Sequence, residues 1–302
     1  MIQQSALKKT EHLNLNQEMI ASDTVSEDFQ VDQNWATRYS DKSHTTWASL
    51  FSSMKELSEK TSCSKLLVGL ERVSLDAARI PRFEDISKQL SASTNWEIIG
   101  ANGFIPNEIF FTHLANKRFP MACEIRSLDE SQFQEDPDLF HDIYGHTPML
   151  IYPEISNILQ SSAQAILKAL KLGRQDLVKK IATVYWFTIE VGLVKENGEI
   201  RVYGAAIASS PKEIMYSTKS TLPNLIKFDV NRVMRTEYNM SDLQRTYFVL
   251  DDIDDLRALA ELDFFECALR LENETTFQEG EICATDEIIQ LGTNNPMKRR
   301  QA

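Results

Sequence analysis

The chain has 302 residues, 42% hydrophobic and 25% charged, with 10 glycines and 9 prolines, which excludes collagen-like, low-complexity and wholly disordered classes. Length alone allows one large domain or two ordinary ones. A formal charge of −12, from 32 Lys plus Arg against 44 Asp plus Glu, repels phosphate backbones and anionic headgroups, so neither nucleic acid nor a membrane surface is expected as a partner.

Residues 1–33 are rich in Gln, Asn, Ser, Thr and Glu without a sustained apolar period, and predict a mobile tail, with order beginning near Trp35. This stretch lacks the apolar core of a signal peptide, and no segment approaches the roughly 18 apolar residues of a membrane span. A soluble, cytoplasmic protein is expected. From Trp47 onward, Leu50, Phe51, Met54 and Leu57 recur at helical spacing, and a short strand is predicted over 96–99. The stretch ILQSSAQAILKALKLG carries Ile158, Leu159 and Ile166 at helical spacing, with Gly173 as its stop. Residues 175–194 hold no Pro, and no Gly before Gly192, and predict a helix apolar over much of its circumference and deep in the core. Past the turn pair Asn197-Gly198, Ile200 and Val202 alternate as a strand, and 246–250 predicts another. A last helix is expected within 252–271. Beyond it, 273–302 loses periodicity and predicts a poorly ordered tail. No repeat or linker interrupts 34–272, so the expected fold is a single domain, mainly α with a few short β-strands. Cys63, Cys123, Cys267 and Cys283 are scattered, as expected of free thiols in a reducing compartment.

Two of the five histidines, His141 and His146, fall within EDPDLFHDIYGHTPML. Their spacing of five would set the side chains roughly 140° apart on an ideal helix, but Gly145 and Pro148 predict that the helix ends or distorts there, which lets the rings converge. Asp138, three residues before His141, is either the carboxylate that fixes the imidazole tautomer or an N-cap. Glu190 is the acidic residue inside the apolar YWFTIEVGL, where a lone buried carboxylate would cost several kcal/mol unless paired, protonated or bound to metal. Two imidazoles and a carboxylate suit the facial triad of non-haem Fe(II), and zinc hydrolysis remains open on ligand type. The nucleophile elbow GxSxG, the phosphate loop GxxxxGK[ST] and the dinucleotide motif GxGxxG are all missing.

PDLFHDIYGHTPML, VYWFTIEVGL and VYGAAIASSPKE, in that order and with TNWEIIGANGFIPNEIFFTHLANKRFP upstream, resemble the core of the pterin-dependent aromatic amino acid hydroxylases, in particular the bacterial phenylalanine 4-hydroxylase branch. The resemblance runs from about Trp35 to Leu271. It implies a catalytic domain over 34–272 and iron held by His141, His146 and Glu190. It places Arg126 on the substrate carboxylate, Pro137 and Trp186 in the amino acid pocket, and Ser209 beside the substrate and His141. It places Gly103, Ile105, Asn107, Phe110, Asp142, Ala182 and Tyr185 around the pterin, with Phe110 stacking on its ring and Asp142 also in a catalytic role. The implied reaction uses Fe(II), a tetrahydropterin such as tetrahydrobiopterin, and O₂ to hydroxylate a free aromatic amino acid, L-phenylalanine to L-tyrosine foremost. Phe133, Ala206, Glu124, Met240 and the segment Gln244-Arg245-Thr246-Tyr247 depart from the family pattern and bear on specificity. Tryptophan, tyrosine or meta-hydroxylation, a zinc hydrolase and a non-catalytic binding protein are the rival expectations. With no regulatory domain expected ahead of the core, a monomer is expected.

Overall fold

The computed structural model describes residues 39–101, 105–127 and 138–293. The predicted N-terminal tail, Trp35, Gly103, Phe133 and Pro137 lie outside the described residues. Helix α1 (Asp41–Thr61) starts where Ser40 Oγ accepts from the Ser43 amide at 3.2 Å, and buries Trp47, Leu50, Phe51 and Met54. α2 (Ser64–Val73) and α3 (Phe83–Thr94) follow. Strands β1 (Glu97–Ala101) and β2 (Arg118–Ala122) pair in parallel across the crossover helix α4 (Asn107–Ala115). The predicted strand at 96–99 starts one residue later, with Trp96 fully buried ahead of it.

Helix α5 (Thr147–Leu150) leads into the central α6 (Pro153–Lys171), which packs on α7 (Gln175–Tyr185). Gly173 closes α6 with φ +70°, the left-handed conformation a glycine adopts without cost. The predicted helix over 175–194 is shorter than expected. Its α-helical part stops at Tyr185, a π turn runs to Glu190, and β3 (Leu193–Glu196) begins soon after. Gly192 permits the close passage into β3, because a Cβ there would lie 2.3 Å from the Thr188 carbonyl oxygen and 2.2 Å from Tyr203 Cζ.

β3 turns through Asn197 and Gly198, both at positive φ, into β4 (Glu199–Val202). Two short helices, α8 (Ala205–Ala208) and α9 (Pro211–Lys219), precede β5 (Asn224–Lys227), α10 (Val230–Val233) and β6 (Thr246–Leu250). β6 is buried along its whole length, between β3 and β5 and parallel to both. The predicted helix within 252–271 is two helices, α11 (Asp255–Ala260) and α12 (Phe264–Arg270), because Asp263 restarts the chain by accepting from the Glu266 amide at 3.0 Å.

The expected loose tail beyond residue 272 needs correction. Residues 288–290 form β7 (Ile288–Gln290), antiparallel to β5, so the sheet order is β4-β3-β6-β5-β7. A buried ion pair between Arg232 Nε and Asp286 Oδ1 at 2.8 Å anchors the segment. Polar anchors of this kind leave no hydrophobic period to read. Helices dominate, as expected. Among the described residues no helix is long and apolar enough to cross a membrane, and the four cysteines are free.

Candidate functional site

Among the described residues two helical segments depart from α winding into π turns, and they carry the predicted ligands. His141–His146 is a π-helical turn, and Trp186–Glu190 is a second. A π turn bonds residue i to i+5, so it stacks side chains five apart that an α-helix would separate. His141 and His146 accordingly meet, with ring centroids 4.9 Å apart, planes at 90° and Nε2 atoms 3.1 Å apart. The second turn brings Glu190 to the same point, with Oε1 3.4 Å from His146 Nε2 and Oε2 3.6 Å from His141 Nε2. At each turn a threonine hydroxyl bonds back to the i−4 carbonyl, Thr147 just past the first to Ile143 and Thr188 within the second to Val184, each at 2.6 Å. Gly145 admits the first turn to its place, since a Cβ there would lie 2.7 Å from the Ala205 carbonyl oxygen.

Hydrogen bonds around the cluster decide which ring nitrogen carries the proton. Ser209 Oγ lies 2.9 Å from the Ala205 carbonyl, to which it donates, so it accepts from His141 Nδ1–H at 2.9 Å. His141 Nε2 is thereby left with its lone pair facing Glu190 and His146. Tyr185 Oη donates to Glu190 Oε1 at 2.7 Å. Asp142 faces the same space, and its ligand oxygen and those two ring nitrogens all lie within 4.8 Å of one another. Its Oδ2 accepts from the Ala122 amide at 2.6 Å, which ties the site to the end of β2.

The electrostatics favour positive charge at the meeting point. Burial depresses His141 to about 4, helped by the neighbouring His146, so this ring is neutral and fit to ligate. Burial opposes a charged His146 as well, yet Glu190 and Asp142 outweigh it and hold that ring above its usual range. Burial would also lift Glu190, but His146, His141 and the Tyr185 hydroxyl outweigh it and set the carboxyl at about 2. For Asp142 burial prevails over the pull of His146 and the Ala122 amide, and raises it to about 7. Two nitrogen donors and an ionised carboxylate within 3.6 Å of one another fit a mononuclear divalent metal with coordination positions left open.

Asp138 takes the second of its two predicted roles. Its Oδ1 accepts from the His141 amide at 2.9 Å and so holds the start of the ligand turn, while the imidazole is held by Ser209. Asp138 also receives the Arg126 guanidinium two-pronged, through Nε at 2.9 Å and Nη2 at 2.5 Å. Arg126 outweighs the burial that would otherwise raise this carboxyl and keeps it below the usual range.

Residues 15–284 match the family described as biopterin-dependent aromatic amino acid hydroxylase. The chain belongs to that family. Phenylalanine-4-hydroxylase of Ralstonia nicotianae is 37% identical to this hydroxylase over 270 residues, 89% of this chain and 85% of the relative. That of Chromobacterium violaceum is 36% identical over 255 residues, 84% of this chain and 85% of the relative. The crystal structure of the C. violaceum enzyme bound to cobalt superposes with a TM-score of 0.82 at 35% identity, covering 89% of this chain and 96% of that one.

The hydroxylase places its remaining predicted residues as follows. Arg126 is buried and adds a contact from Nη1 to the Ser209 carbonyl at 3.3 Å, so three of its five N–H donors are used and two remain. Trp186 opens the second π turn, with its indole stacked on Tyr238 at 4.9 Å and 16°. Ile105 and Phe110 are half-buried, Asn107 is exposed at the head of α4, and Ala182 lies buried on α7 one turn before Tyr185. Phe110 packs edge-on against Phe111 at 5.4 Å. Of the departures from the family pattern, Glu124 and Met240 are exposed, Ala206 is half-buried, and Gln244 and Tyr247 are buried. Sequence reasoning missed Tyr238 and the pairing of Glu213 with Tyr247, whose hydroxyl donates to Glu213 Oε1 at 2.9 Å. Glu213 lies in a helix that exposes Lys212, Met215 and Lys219, so its burial left no signal in the sequence, and none pointed to Tyr238.

Proposed function

We propose that this hydroxylase converts L-phenylalanine to L-tyrosine with O₂ and a tetrahydropterin, using Fe(II) held by His141, His146 and Glu190. The observation that carries the reading is the convergence of two imidazole Nε2 atoms and one ionised carboxylate on a single buried point. When bound, the iron together with pterin and O₂ supplies the oxidising power for ring hydroxylation. Arg126, made rigid by Asp138, offers its two remaining N–H donors to the amino acid carboxylate. Trp186 and Pro137 line the side-chain pocket, and Ser209 keeps His141 in its ligating tautomer. Phe110 stacks on the pterin, with Gly103, Ile105, Asn107, Ala182 and Tyr185 around it. Asp142, poised near neutrality by burial, holds or releases a proton toward the pterin. We place the catalytic domain over 34–272 with its C-terminal boundary moved outward to take in β7, and assign a monomeric, cytoplasmic enzyme.

The test loads the protein anaerobically with Fe(II), then adds O₂, tetrahydropterin and separately Phe, Tyr or Trp, with products identified by chromatography and mass. Tyrosine formed from Phe, and lost in His141→Ala, is the expected result. A product from Tyr or Trp alone would replace the substrate assignment, and turnover with zinc in the absence of O₂ and pterin would overturn the reaction class.

A further inference from the structure

The indole of Trp186 is held by no hydrogen bond. Its Nε1 is buried without a partner among the described residues, so the plane of the ring is set by packing. The packing partner is Tyr238, stacked nearly parallel at 4.9 Å, with Phe187 edge-on to Tyr238 at 6.1 Å. Tyr238 lies on an irregular stretch between α10 and β6, where helix or ladder bonds of its own do not hold it.

What holds that stretch is the C-terminal segment. The Phe277 amide donates to the Arg235 carbonyl at 2.6 Å, and the Glu237 amide donates to the Phe277 carbonyl at 2.9 Å, so residue 277 clasps the backbone directly ahead of Tyr238. The Phe277 ring lies 4.0 Å from the Arg232 guanidinium and 4.9 Å from that of Arg235. Arg232 is locked in turn by Asp286 at 2.8 Å, the Glu281 carbonyl at 2.7 Å and Thr236 Oγ1 at 2.8 Å. Further along, β7 fastens the segment to the sheet.

We infer that Tyr238, clasped by the C-terminal segment through Phe277, is a positioning residue that sets ring selectivity by fixing the indole of Trp186. The inference rests on the assignment of Trp186 to the amino acid pocket. An aromatic wall backed by a second ring cannot recede to admit a larger substrate. Once the backing ring is removed, the indole can retreat and the pocket deepens. Differences of this size in an apolar pocket change selectivity by one to two orders of magnitude.

The experiment compares Tyr238→Phe, Tyr238→Ala and Phe277→Ala in the iron-loaded enzyme, with L-Phe and L-Trp supplied separately at saturating tetrahydropterin. Tyr238→Phe keeps the stacked ring and should hold the ratio of kcat/KM for Phe over Trp within about twofold. Tyr238→Ala should raise KM for Phe about tenfold, leave kcat and iron affinity within about threefold, and lower the ratio about tenfold in favour of Trp. Phe277→Ala should move the ratio the same way by about threefold. An unchanged ratio with equal losses on both substrates, or a parallel loss of iron affinity, would mean that Tyr238 is merely structural. A separate readout uses metal-free protein. The Trp186 emission, isolated by subtracting Trp186→Phe backgrounds, should shift to the red in Tyr238→Ala and Phe277→Ala. No shift overturns the relay even if the wild type proves inactive on both amino acids, an outcome that counts against the proposed reaction instead.

Discussion

Replacing Ser209 by Ala should weaken metal binding without unfolding the protein. In the wild type the Ser209 hydroxyl accepts from His141 Nδ1–H at 2.9 Å while donating to the Ala205 carbonyl. Its removal leaves His141 two options at a buried position. The ring can keep Nδ1–H without an acceptor, at about 1–3 kcal/mol, or shift the proton to Nε2 and lose the lone pair that ligates. At about 1.4 kcal/mol per factor of ten, returning the ring from the second state to the first in order to ligate weakens Fe(II) binding by about 5- to 140-fold, which brackets the roughly 10- to 100-fold loss seen when the outer partner of a ligating histidine is removed. An anaerobic competition titration of Fe(II) or Co(II) against a chromophoric chelator at neutral pH measures this directly. The melting temperature of metal-free protein serves as the control and should fall only slightly. Wild-type affinity in Ser209→Ala would refute the tautomer argument, because it would show that His141 presents Nε2 without help.

Three further perturbations test the frame around the site. Burial raises Glu213 to about 7, so the folded state holds a proton that the unfolded chain releases near pH 4.5. The stability contributed is complete below that lower value and is lost as pH rises through 7, at a slope of up to about 1.4 kcal/mol per pH unit. Glu213→Gln should therefore flatten the pH dependence of melting between pH 5 and 8, and an identical slope in both proteins would refute the assignment. Asp138→Ala strands the buried Arg126 guanidinium and uncaps the His141 amide, so a loss of about 3–5 kcal/mol is expected in denaturant melts. A loss below about 1 kcal/mol would show that water reaches Arg126. Gly145→Ala drives a Cβ to 2.7 Å from the Ala205 carbonyl oxygen, and should cost about 1–3 kcal/mol while displacing His146 enough to impair metal binding. A stable variant with wild-type metal affinity would refute the close-packing account.

Much of the site was legible in the sequence because its chemistry is local. His141, His146 and Asp138 share one short segment, and Glu190 stood out as a charge in an apolar run. The distortion near Gly145 was also readable, although its form as a π turn was not, since sequence periodicity does not distinguish a widened turn from a helix end. The hidden features depend on distant partners. Ser209 reaches His141 across 68 positions, so its place beside that ring came from the family resemblance and from no local signature, and the Arg232–Asp286 pair, spanning 54, left none either. β7 was missed for the same reason, because three residues with no alternating pattern become a strand only when β5 offers its edge.

The π turns link ligation to helical register. Each is a stretch wound one residue wider than its neighbours, and the alternative to each is ordinary α-helix, about 100° of rotation away for a residue shifted by one position. A cation gripping His141, His146 and Glu190 therefore acts as a ratchet pawl on two separate helices, forbidding either from slipping a notch. Without that grip the first turn is held by Asp138 at the His141 amide, by Ser209 at the His141 ring and by the packing of Gly145 on Ala205, and the second by Tyr185 on Glu190. Metal occupancy then has a mechanical signature far from any chemistry. Amide exchange at 141–147 and 186–191 should slow together on loading, while the flanking α6 and β6 report no change.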